Sequence, residues 1–207
     1  MRRSAIWVVC FGIATCGGSI HGVAQVDCSR FDIEPSASLP LHTVLIPPTR
    51  ACATRMSNGF PTPDPDCTPG AINPSLTVEV LLNPAFRTSC VRDSTTTGHE
   101  KAATYNWYGI SHPENNTGST QTCELDHLIS LELGGADTLD NIWPQCGPPG
   151  VTLPERYFKE KDAVENYLAR QVKTGAMDLE AAQQGIATDW SQFLDAARAA
   201  CPGGRCR

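Results

Sequence analysis

"CELDHLISLELGGADTLDNIWPQC", running from Cys123 to Cys146, is the stretch whose reading decides the fold. Asp126 stands directly before His127, Asn141 follows fourteen residues after that histidine, and Gly134 and Gly135 lie between them. Residues 124–129 alternate, with Leu125 and Ile129 around the polar Asp126 and His127, which is the pattern of a half-buried strand. "LGGAD" turns the chain, and "NIWPQ" forms a second extended piece. If the two pieces pair antiparallel, Cys123 and Cys146 meet at the open end and a bond between them closes the hairpin. Closing such a loop is worth roughly 3 kcal/mol in the chain-entropy picture. It would also fix His127 relative to Asn141, which a catalytic site requires and a plain structural hairpin does not.

Outward from this segment, the front of the chain has the form of an export signal. Arg2 and Arg3 precede the apolar run "AIWVVCFGIA" and small residues ending in "GVAQ", so residues 1–24 read as a secretory leader cut near Ala24. The run is too short for an ordinary membrane-spanning helix. Eight cysteines remain behind it: Cys28, Cys52, Cys67, Cys90, Cys123, Cys146, Cys201 and Cys206. An even, high count behind an export signal predicts disulfides and a secreted or periplasmic location. Zinc is the rival reading, but no C-x-x-C pair occurs. The whole chain carries 22 acidic and 16 basic residues. Losing Arg2 and Arg3 takes the net charge from −6 to about −8, which argues against a broad basic surface for nucleic acid.

Residues 25–66 read as an irregular, disulfide-tethered extension rich in turn formers ("IPPTR", "NGFPTPDPDC"). "LTVEVLL", 76–82, reads as a strand or a short helix, and a short helix is expected from near His99 to Gly109. "SHPENNTGSTQT" is a polar loop in which Asn115 begins an N-x-Thr acceptor. From Leu153 to about Val172 the apolar spacing is helical, with Pro154 in the first turn and Gly175 as terminator. "MDLEAAQQGI" and "DWSQFLDAARAA" add one or two helices with Leu179, Ile186, Trp190 and Leu194 as core, and Cys201 with Cys206 encloses a terminal clasp. Neither a repeat nor a linker is visible.

"ELDHLISLELGGADTLDNIWPQ" resembles the ββα-metal motif of the HNH, or His-Me finger, endonucleases. The resemblance is stronger to small exported bacterial HNH-like proteins. They share a "CTPG" segment, matched here by 67–74, a "DHLI.LELGG" core with "NLWPQ", matched by 126–145, a "KD..E..L" helix, matched by 161–168, and an "AQ..I..DW" tail, matched by 181–190. The similarity covers about residues 67–195. It implies an α+β fold: a small ββα-metal finger hairpin, core 123–172 of a 67–207 domain, followed by C-terminal helices, disulfide-stabilised, behind an irregular N-terminal region.

What the resemblance implies for chemistry is specific. His127 would be the general base that deprotonates the attacking water, given a partner on one ring nitrogen. Asp126 would ligate a divalent metal ion, usually magnesium. Asn141, the second residue of the catalytic pair, would hold the histidine's loop, and Gly134 and Gly135 would permit the turn. Adjacent strand residues point to opposite faces, so Asp126 and His127 share a site only where the strand is distorted or another loop reaches round. A further ligand is expected four residues before the "KD" pair, where this chain has Tyr157. Glu155 or Glu160 would replace it by a shift along the helix, a carboxylate being suited to a hard cation. Lys159 and Lys161 would meet substrate phosphates or be solvated helix charges. Glu124 would support the site or face solvent. Trp143 reads as core.

Two functions compete at this point. One is a secreted, divalent-metal-dependent endonuclease that hydrolyses DNA or RNA with little sequence preference, since no base-reading module is visible. The other is a catalytically silent, disulfide-rich extracellular module that keeps the finger as scaffold. A carboxylate within ligand reach of Asp126, on the helix after Leu153, discriminates between them. A hydrolase using Asp126, His127 and Ser130 is a third idea, without a nucleophile-elbow pattern behind it.

Overall fold

The computed structural model describes residues 26–96, 98–202 and Cys206; the leader reading falls on residues outside these. The described residues form a mixed α+β fold whose sheets are three two-stranded antiparallel pairs. In chain order the strands are β1 (Leu39–Pro40), β2 (Arg55–Ser57), β3 (Phe60–Thr62), β4 (Ala71–Ile72), β5 (Cys123–His127) and β6 (Ile142–Cys146). The α-helices are α1 (Val78–Leu82), α2 (Gly98–Trp107), α3 (Tyr157–Lys173), α4 (Leu179–Asp189) and α5 (Leu194–Ala200). "LTVEVLL" therefore resolves into a short helix, with the Thr77 side chain capping the Val80 N–H.

The eight cysteines among the described residues are all paired: Cys28–Cys90, Cys52–Cys67, Cys123–Cys146 and Cys201–Cys206. β5 and β6 pair with Cys123 opposite Cys146, Asp126 opposite Trp143 and His127 opposite Ile142. The staple thus joins directly facing residues at the open end of the hairpin. At the closed end a single 3-10 turn, Leu131–Leu133, leads into Gly134 in the left-handed region at φ +78°. Gly135 is required for a different reason: a Cβ there would lie 1.9 Å from the Ile129 carbonyl oxygen.

α3 starts four residues later than the spacing suggests. Leu153–Glu155 forms a separate 3-10 turn in which Thr152 and Glu155 make a capping box, and Tyr157–Lys173 follows. One buried face of α3 (Val164, Leu168, Val172) packs against Ile129, Leu133, Ile186, Trp190 and Leu194. Trp143 sits in a second cluster with Tyr108 and Leu128.

The region read as irregular contains a 3-10 turn (Cys28–Arg30), the short strand β1, which pairs with β4, and the β2–β3 hairpin. The turn of the hairpin is Asn58-Gly59, both at positive φ (50° and 83°), the combination favoured where two strands reverse in two residues. That hairpin reaches the C-terminal helices: Trp190 Nε1 donates to the Pro61 carbonyl at 2.8 Å, Ser57 Oγ donates to Asp189 at 2.5 Å, and Phe60 packs edge-on to Trp190. Among the described residues no helix is long and apolar enough to cross a membrane.

Candidate functional site

Asn141 organises the finger loop. Fully buried, its amide donates to the Ile129 and Ala136 carbonyls (2.9 and 2.8 Å), and its Oδ1 accepts from the N–H groups of Ile129 and Ala71 (3.0 and 3.3 Å). All of its hydrogen-bonding capacity goes to backbone. It therefore acts by positioning the loop after His127, and it has nothing left for a metal or a reacting group.

His127 Nε2 lies 2.7 Å from Asp137 Oδ1. Asp137 is fully buried, and it also accepts from Lys101 Nζ at 2.8 Å and from the Asp93 N–H at 2.8 Å. Burial pushes this carboxyl up, but the hydrogen bonds from His127 and Lys101 outweigh it and hold its pKa at about 2. Asp137 is therefore ionised and can only accept, so His127 Nε2 carries the proton of that bond. Burial lowers the imidazole's pKa below its ordinary 6.5 despite the neighbouring carboxylate. Neutral His127 then presents Nδ1 as a lone pair, and among the described residues nothing donates to it.

Asp126 points elsewhere. Lys161, completely buried, places its ammonium 2.9 Å from Asp126 Oδ2 and 2.5 Å from Glu165 Oε1, and donates to the His127 carbonyl at 2.7 Å. The Lys161 ammonium is the partner of the buried Asp126 Oδ2. Burial opposes the charge on Lys161, yet the two carboxylates outweigh it and raise its pKa. Two acids share one base here. Burial accordingly raises Glu165 to about 8 even though Lys161 pulls it down. Asp126 and His127 still line one small cleft of about 140 Å³, with Ser130, Glu132, Asp162 and Glu165.

The remaining expected residues are placed differently from the sequence reading. Lys161 is neither a phosphate contact nor a solvated charge, because it is sealed beneath Asp126 and Glu165. Lys159 is part-exposed and pairs with Asp162 at 2.7 Å and Glu124 at 3.9 Å. Glu155 turns back to cap Thr152, and Glu160 pairs with Arg198 at 2.9 Å, so neither is directed at Asp126. Tyr157 packs edge-on against Phe60. Glu124 is half-buried on the cleft wall, and burial raises its pKa. Ser130 Oγ is buried with no partner, so no serine–histidine hydrogen bond exists.

The helix carboxylate that does approach Asp126 is Glu165, and an ammonium already lies between them. Among the described residues, no three His, Cys, Asp or Glu side chains form a group able to hold a metal ion. With Asn141 committed to backbone, the donors present do not fit a magnesium ion, which takes near-octahedral oxygen coordination. Sequence reasoning passed over Asp137, Glu165 and Lys101. Glu165 was accessible as the i+4 partner of Lys161 on a helix. Asp137 stands in the loop between Gly135 and Asn141, but nothing in its spacing marks it as the histidine's partner.

No family model, curated protein or solved structure matches the chain.

Proposed function

We propose that this chain is an exported, disulfide-stapled binding module that keeps an HNH-like finger as a rigid scaffold without its metal chemistry. The observation that carries this reading is the buried Lys161 ammonium between Asp126 and Glu165. It supplies the positive charge that these two carboxylates would otherwise seek from a cation. The export signal, the paired cysteines and the cross-strand staple suit a module that must stay rigid in an oxidising compartment.

A second reading is favoured by one specific observation. The His127–Asp137 pair, with His127 lining a cleft, is the arrangement a general base needs, and it supports hydrolysis of DNA or RNA phosphodiesters. The deciding experiment is cleavage of plasmid and single-stranded RNA by the oxidised chain in magnesium, manganese or chelator, beside His127→Ala. The module reading expects no cleavage and a melting temperature insensitive to metal and chelator. Metal-dependent cutting that disappears in a folded His127→Ala would replace it with the nuclease.

A further inference from the structure

The β2–β3 hairpin carries a reactive pair of residues that the finger does not use. Asn58-Gly59 is the single Asn-Gly sequence in the chain, and both residues are exposed at the hairpin tip, beyond the last paired residues Ser57 and Phe60. A Cβ added at Gly59 would meet nothing within 4 Å, and among the described residues nothing accepts from the Gly59 N–H. The Asn58 amide, by contrast, is engaged. Its Nδ2 donates to Ser191 Oγ at 3.1 Å and to Asp189 Oδ2 at 3.4 Å. Ser57 Oγ donates to the same Asp189 oxygen at 2.5 Å, and Trp190 Nε1 donates to the Pro61 carbonyl at 2.8 Å. Asn58 is thus one of the donors that fasten the hairpin to the segment where α4 passes into the 3-10 turn Trp190–Phe193.

We propose that Asn58 is a self-modification site, at which spontaneous deamidation releases the β2–β3 hairpin from the C-terminal helices. The Gly59 nitrogen attacks Asn58 Cγ, a new C–N bond closes a five-membered succinimide, and the Cγ–Nδ2 bond breaks. The departing Nδ2 leaves as ammonia, taking up the proton lost from the Gly59 N–H. Water then adds to either carbonyl of the ring, giving aspartate or isoaspartate. The reaction needs no partner but water. A side chain on the following residue would crowd the attack, and glycine has none. The consequence follows from what the amide held. A carboxylate at position 58 cannot donate, and it would stand beside the Asp189 carboxylate where a donor stood, so attraction becomes like-charge repulsion. Isoaspartate also adds a methylene to the backbone of a two-residue turn, which disturbs the pairing of Ser57 with Phe60.

The test is incubation of the oxidised chain in warm, mildly alkaline buffer, followed over time by peptide mapping with isoaspartate detection. The expected result is conversion at Asn58 ahead of every other asparagine, into a mixture of aspartate and isoaspartate. Gly59→Ala, once near-ultraviolet circular dichroism shows it folded, should convert severalfold more slowly. The converted wild-type fraction, separated by its extra negative charge, should melt roughly 4–8 °C below the unconverted protein. Its hydrogen exchange should rise at Phe60 and Ser191, and Asn58→Asp, made directly, should reproduce both changes. An intact Asn58 while other asparagines convert would overturn the site, whatever the fate of Gly59→Ala. A converted fraction that melts with the unconverted protein and exchanges like it would overturn the release. Neither outcome bears on whether the finger binds or cleaves.

Discussion

Replacing Glu165 by glutamine should make the protein more stable in mild alkali and leave it nearly unchanged in mild acid. The cluster holds two carboxylates and one ammonium away from water, so its surplus negative charge is relieved by a proton on Glu165. That carboxyl titrates near 8 in the folded protein against an ordinary 4.5. A group whose folded pKa is raised contributes stability fully below its unfolded value and loses it as pH rises to the folded one. Wild type should therefore lose stability between about pH 4.5 and 8. At about 1.4 kcal/mol per pH unit, the ceiling on that loss is about 5 kcal/mol. Lys161, whose pKa is raised, stays charged throughout and adds no slope. His127, Glu124 and Glu132 titrate in both proteins, so their contributions cancel in the difference. Glutamine keeps a carbonyl for Lys161 and cannot ionise. Urea unfolding at pH 5, 6.5 and 8, disulfides intact, should show the variant within about 1 kcal/mol of wild type at pH 5. By pH 8 it should exceed wild type by several kcal/mol, roughly 2–4 °C in melting temperature per kcal/mol for a chain of this size. Parallel stability curves for the two proteins across that range would refute the reasoning.

Asn141→Ala removes four buried backbone hydrogen bonds and should cost about 3 kcal/mol or more, with hydrogen exchange rising first at Ile129 and Ala71. Gly135→Ala forces a methyl group into the Ile129 carbonyl and should leave little folded protein by near-ultraviolet circular dichroism, whereas Gly59→Ala, with open space around it and only the strain of its positive φ to bear, should cost less. Paired serines at Cys123 and Cys146 should lower stability by about 3 kcal/mol in denaturant unfolding, because the closed loop they lose is 23 residues long. Asp137→Asn removes the negative charge that faces Lys101 and His127, together with one of the two acceptor oxygens they share, and should destabilise by about 3 kcal/mol. The same variant should move the His127 titration, followed by NMR, further below its wild-type value, since the carboxylate that partly offsets burial is gone.

Features written in local chemistry could be read from the sequence; features made by distant partners could not. The hairpin, its two glycines and the 123–146 and 201–206 pairings follow from alternation, turn residues and spacing, and all are present in the fold. The Asn58-Gly59 turn carried an equally local signal that was absorbed into a run of prolines. The site itself was less accessible. Whether Lys161 meets a phosphate or seals two carboxylates depends on the rotation of α3 against β5, and a helical repeat alone does not set that rotation. Asp137 acquires its role only because the loop folds back under Asn141's four hydrogen bonds. Glu160 was a reasonable ligand by type, and Arg198 of α5 is what takes it away.

The small β2–β3 hairpin bears on how the chain acquires its structure. Its Pro61 carbonyl waits for Trp190, 129 residues further along, and Ser57 waits for Asp189. Neither half of the main core is complete without the other, so native closure is a late event dominated by contacts between distant parts of the chain. Contacts of that kind fold slowly. A nascent polypeptide built this way stays pliable until nearly its whole length is available.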